Sequence, residues 1–147
     1  MKDRGHSTAF YIETLVMIMI FVVIILVLTK VFAIAKADSI NAKELTNAVA
    51  MAQNTAEVIQ SSESKDEFIT LMDEDGNVTE DGDTVVIRYD KDNKADKQGI
   101  YAVNVTWTPK KTDAGELVTS DISVIYGDDE DSIYDMSTKV YIKEGKR

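Results

Sequence analysis

Residues 9–28, AFYIETLVMIMIFVVIILVL, form an almost uninterrupted apolar run that holds one carboxylate, Glu13. Leu15 to Leu28 carries no polar side chain, and Ala9 to Ile12 extends the run upstream. Together they supply the roughly 20 residues a helix needs to cross about 30 Å of hydrocarbon. The β-branched residues in the run lower helix propensity in water, but in lipid every backbone group must bond within its own segment, and that requirement prevails. A transmembrane helix is therefore expected, with Thr29 and Lys30 marking its far boundary.

A cleaved secretory signal is the competing reading, because Ala33-Ile34-Ala35 has the small-x-small pattern that signal peptidase accepts. Cleavage after Ala35 would release a soluble domain. Against it, the apolar core exceeds the roughly 7–15 residues usual for a signal, the leader MKDRGHS is only weakly basic, and the helical pattern continues past Ala35. Orientation is not fixed by charge, since Lys2 and Arg4 flank one end while Lys30, Lys36 and Lys43 flank the other.

From Lys36 to Ser62 there is no proline or glycine, and Leu45, Val49, Ala52, Ala56 and Ile59 recur at spacings of three and four. That spacing predicts an amphipathic helix continuing the span, its stripe turned toward a cover and Lys43, Glu44, Asn47, Gln53 and Glu57 turned elsewhere. Plain core packing accounts for the stripe; Ala48, Ala52 and Ala56 would also allow close approach by another helix.

After residue 62 the periodicity changes to two, the mark of half-buried strands. Val85, Ile87 and Tyr89 share one side of a first strand; Tyr101, Val103, Val105 and Trp107 share a side of the next. Val118, Ile122, Val124 and Tyr126 follow, then Tyr134, Met136, Val140 and Ile142. Four strands with one apolar face each need a cover, and the helical stripe is the available one. Turn formers and charge between them predict an antiparallel meander. The stretch DEFITLMD fits either a short helix or an edge strand.

With 26 acidic against 16 basic residues the net charge is -10, and the acid gathers after position 60. Such a surface repels phosphate backbones, so direct nucleic-acid binding by this region is not expected. The chain has no cysteine, which excludes disulfides, thiolate metal sites and a cysteine nucleophile, and its one histidine, His6, lies in the leader. DEDGNVTEDGD alternates Asp73, Asp75 and Asn77, but Thr84 stands where a calcium loop needs its bidentate Glu, so it is not an EF-hand. Asp128, Asp129 and Asp131 in GDDEDS remain the candidate calcium ligands; otherwise no cofactor is expected. Nothing marks two carboxylates as a buried acid/base pair, and no phosphate loop or nucleophile elbow is present, so an enzyme is not expected. NVT occurs at Asn77 and at Asn104, an acceptor pattern common by chance.

A short polar leader, an apolar helix with a Glu near its start, an amphipathic extension and a small sheet make a chain that resembles the type IV pilins and pseudopilins, including minor pilins of Gram-positive competence and pilus systems. The motif is AFYIETLVMIMIFVVIILV, similar to a processed pilin N-terminus; it covers about the first 35 residues, and the rest is similar only in architecture. The resemblance implies an assembly subunit of a pilus, secretion or DNA-uptake machine, with Glu13, Phe10 and Tyr11 at subunit contacts. It implies as partners other pilin subunits, membrane lipid and a prepilin peptidase, with the leader in the cytosol and the acidic domain outside. Candidate processing positions are Gly5, Thr8 and Ala9: cutting after Gly5 leaves Glu13 eighth, whereas cutting after Thr8 leaves it fifth, the family's place, but without the family's glycine before the bond. An uncut or atypical minor subunit fits this departure best.

The expected fold is α+β: a long N-terminal helix, transmembrane below and amphipathic above, packed on an antiparallel sheet of about four strands. Its expected segments are a leader 1–8, a membrane helix 9–35, its continuation 36–62 and a β-rich domain 63–147. Leu45, Val49, Ala52, Ala56 and Ile59 of the helix are expected against Val103, Val105, Trp107, Ile122 and Val124 of the sheet.

Overall fold

The computed structural model describes residues 4–113, 115–127 and 131–143. Helix α1 runs unbroken over Arg4–Ser61, followed by a short helix α2 at Lys65–Met72. Five strands follow among the described residues: β1 at Val78–Asp81, β2 at Thr84–Tyr89, β3 at Tyr101–Thr112, β4 at Gly115–Tyr126 and β5 at Tyr134–Lys143. They form one antiparallel sheet in the order β1-β2-β3-β4-β5, the meander expected. The fold is α+β, but the sheet has five strands where about four were expected.

The chain divides into two compact units, Met1–Ala42 and Lys43–Arg147. In the second, the upper part of α1 lies on one face of the sheet. Ala48, Met51, Ala52, Thr55, Ala56 and Ile59 are buried there together with Val85, Ile87, Tyr101, Val103, Val105, Trp107, Val118, Ile122 and Val124. The buried residues of the helix, mostly small, meet a sheet face filled by β-branched and aromatic side chains. The opposite sheet face carries Thr106, Asp121, Ser123, Asp135 and Ser137 and needs no cover.

The stripe on α1 is offset from the expected one. Ala52, Ala56 and Ile59 are buried and Val49 is half-buried, but Leu45 is 46% exposed. Ala48, Met51 and Thr55 take the inward positions instead. Asn47, expected to turn elsewhere, aims its amide at the sheet side, with Nδ2 3.4 Å from the Tyr101 hydroxyl.

α1 ends without glycine or proline. Ser61 and Ser62 hydroxyls donate to the Val58 carbonyl at 2.9 and 2.7 Å, satisfying a last-turn acceptor. The next serine starts α2: Ser64 Oγ accepts the Glu67 N–H at 3.1 Å, while the Glu67 carboxylate accepts the Glu63 N–H at 2.7 Å. That reciprocal capping resolves DEFITLMD as helix, and it delivers Phe68 to the core, its ring stacked on Trp107 at 5.8 Å.

Two tight turns add the strand the alternation did not show. Asp75 and Gly76 both have positive φ, 61° and 73°, which brings the chain into β1; Gly82 at φ 61° then opens the two-residue loop between Asp81 and Thr84. Pro109 sits within β3 without breaking the sheet. Trp107 donates its N–H to the Asp83 carbonyl at 2.9 Å, so odd residues of β3 aim toward β2, and Pro109 lies past the end of that strand where no donor is needed.

Candidate membrane and assembly segment

The lower part of α1 is long and apolar enough to cross a membrane, and none of that stretch is buried within the protein. Phe10, Leu15, Met17, Phe21, Leu26 and Phe32 are all more than 60% exposed. A surface this apolar on every side is the kind that lipid or other helices cover.

The hydroxyls in this stretch are dealt with locally. Thr14 Oγ1 donates to the Phe10 carbonyl at 2.9 Å, and Thr29 Oγ1 to the Ile25 carbonyl at 2.8 Å. Such bonding to the carbonyl four residues back removes the cost of placing a hydroxyl in hydrocarbon. Glu13 is different: its side chain is exposed and no hydrogen bond or ion pair reaches it among the described residues. One turn earlier on the chain, Phe10 and Tyr11 hold their rings edge to face, 6.2 Å apart. All three expected assembly residues thus lie within a single turn of helix, outward-facing.

The processing candidates Gly5, Thr8 and Ala9 fall in the first turns of α1, whose described backbone is helical from Arg4. Of the calcium candidates, Asp128 and Asp129 lie outside the described residues, and Asp131 is exposed. Among the described residues no group of three or more His, Asp or Glu side chains is placed to hold a metal ion.

The acidic loops are held by their own side chains. Asp90 Oδ1 accepts the N–H groups of Asp92 and Lys94 at 2.8 and 2.9 Å, and Asn93 takes the left-handed conformation that asparagine tolerates. The Lys94 N–H bond chiefly, then the Asp92 N–H and the nearby lysines, hold the Asp90 carboxyl below its ordinary range. Asp96 Oδ1 accepts the Gln98 N–H at 2.9 Å in the same way. At the end of β2, burial pushes the Tyr89 phenol up to about 12, the Glu74 carboxylate adding to the effect. These carboxylates organise the turn that DKDNKADKQG, rich in turn formers and charge, was expected to make; the bonds that hold it are what the sequence reading did not assign. The signal was the aspartate two and four residues before the amides it accepts.

Asn77 is 1% exposed and its Nδ2 donates to the Arg88 carbonyl at 3.2 Å, so its NVT carries a structural amide. Asn104 is half-exposed on the outer sheet face.

No family model, curated protein or solved structure matches the chain.

Proposed function

We propose that the chain is a minor pilin-like assembly subunit, a non-enzymatic single-pass protein whose lower helix packs with like helices and whose acidic sheet domain stands outside the cell. The observation that carries this reading is the lone Glu13 in the otherwise uncharged and wholly exposed 9–28 stretch of α1, a helix unbroken from Arg4 to Ser61. A carboxylate in hydrocarbon costs on the order of 3 kcal/mol, and such groups usually meet a protein partner. The partner of choice is the N-terminal amine of a neighbouring subunit, which would set the axial register of one helix on the next. The rival, a tethered domain that stays single in the membrane, leaves Glu13 to reach water near the helix start.

Replacing Glu13 with Gln or Ala separates the two. The variants should insert in the membrane like the parent and be lost from filaments sheared off the cell surface. Unchanged recovery in the sheared fraction would overturn the proposal. Mass spectrometry of the mature N-terminus is the companion measurement: a chain beginning after Ala35 has no anchor and is incompatible with the reading.

A further inference from the structure

Among the described residues the sheet is open at both ends, with β1 and β5 each paired on one side only. The two edge strands differ in charge: on the sheet face away from α1, β1 presents Asp81 and β5 presents Lys139. Residues 73–83, which include β1, hold six carboxylates, of which Glu80 is paired with the Lys65 ammonium and Asp81 is unpaired among the described residues; β5 itself, Tyr134–Lys143, holds Lys139 and Lys143 against Asp135. The single proline is in β3, so neither edge is blocked in that way. Beside β5 a groove of about 550 Å³ runs between Val140–Ile142 and the end of α1 at Gln60–Ser62, leaving room along the strand.

We propose that β1 of one copy adds to β5 of a second copy, extending the sheet from chain to chain. Five antiparallel strands make β1 and β5 run in the same direction. A simple translation therefore brings them together as a parallel pair, and it keeps both copies facing the same way, as chains inserted with one topology in one membrane must. Thr79 and Asp81 of β1, and Ser137 and Lys139 of β5, occupy the sheet face away from α1, alternating with Val78 and with buried Thr138. Setting Thr79 beside Ser137 sets Asp81 beside Lys139, an opposite-charge pair across the new contact. Pairing β1 with β1 instead would confront carboxylates. A head-to-tail contact of this kind does not close on itself and propagates. The contact is independent of Glu13 and of the filament reading; copies that remain in the membrane would still pair this way.

The absence of cysteine makes the test direct. Full-length chains carrying Thr79→Cys and differently tagged chains carrying Ser137→Cys are mixed in lipid vesicles and oxidised. The mixed disulfide should dominate, exceed by severalfold the yield from a mid-sheet pair, Thr106→Cys with Thr119→Cys, and fall in about 1 M salt, where charges are screened beyond roughly 3 Å. Adding Lys139→Glu to the Ser137→Cys chain should lower the yield severalfold, and adding Asp81→Lys to the Thr79→Cys chain should restore it. Restoration also shows that both variants are folded. Dominant Ser137–Ser137 disulfides, a mixed yield no better than the mid-sheet control, or indifference to the charge swap would each overturn the proposal.

Discussion

Asn77 and Arg88 grip each other twice: the Arg88 N–H donates to the Asn77 carbonyl at 3.0 Å, and Asn77 Nδ2 donates to the Arg88 carbonyl at 3.2 Å. Asn77 Oδ1 also accepts the Glu74 N–H at 2.9 Å, so one buried amide ties the turn after α2 to β2. Asn77→Ala would leave the Glu74 N–H without its acceptor and the Arg88 carbonyl with the Asp96 N–H alone. A loss of about 1–3 kcal/mol is expected. Trp107 is the only tryptophan, 5% exposed, and its fluorescence during denaturant unfolding of the detergent-solubilised chain reports the change.

Gly99 is needed for closeness, not for its φ. A Cβ built there would collide with the Tyr89 carbonyl oxygen and lie 2.7 Å from the Tyr89 nitrogen, both backbone atoms that cannot swing away. Gly99→Ala should push the 90–100 loop off β2 and cost about 1–3 kcal/mol. The Tyr89↔Ala95 bridge should open with it, seen as faster amide exchange at Asp96, whose N–H donates to the Arg88 carbonyl.

Two core hydroxyls, Thr55 Oγ1 and Ser120 Oγ, are fully buried with no hydrogen-bond partner among the described residues. An unpaired buried hydroxyl opposes folding, whereas the methyl that replaces it does not. Thr55→Val and Ser120→Ala should each raise stability by about 1 kcal/mol in the same unfolding measurement. A drop of that size would show that the hydroxyls are bonded to ordered water.

The depressed Asp90 carboxyl sets a pH signature. A group whose folded pKa lies below its unfolded value of 3.8 stabilises the fold above that value and loses its contribution as pH falls through the folded one. Asp90→Asn keeps an acceptor oxygen but no charge. The parent's stability advantage over the Asp90→Asn variant should therefore shrink as pH drops below about 4. A difference that holds constant to pH 2 would contradict this assignment. Tyr89 acts at the other extreme: its phenol is raised, so stability should decline as pH climbs from 10 toward 12, and Tyr89→Phe should flatten that decline.

Much of this architecture is legible from period alone. Val103, Val105 and Trp107 alternate cleanly because β3 is half-buried along most of its length, with α1 beneath one face and water on the other. β1 escaped because its four residues, VTED, are mostly exposed and have no alternation to read; its real signature is the Gly82-Asp83 loop. The α2 helix was equally available in Ser64-x-x-Glu67. Glu13 reads differently: it stands out by being the one charge in the apolar run, a matter of composition and not of period.

The helical stripe was the hardest element to phase, and the reason can be tested. Apolarity pointed to Leu45 and Val49, but near its approach to the sheet α1 sits over Tyr101 and the 90–100 loop, and there the inward positions favour small Ala48 and polar Asn47, whose Nδ2 lies 3.5 Å from the Lys91 carbonyl. Burial, not hydropathy, should then decide which apolar residues matter. Ile59 is fully buried, so Ile59→Ala should cost about 2–5 kcal/mol. Leu45 is 46% exposed, and Leu45→Ala should fall within about 0.5 kcal/mol of the parent. Equal losses at the two positions would contradict the assignment of Ala48, Met51 and Thr55, and not Leu45, to the packed face.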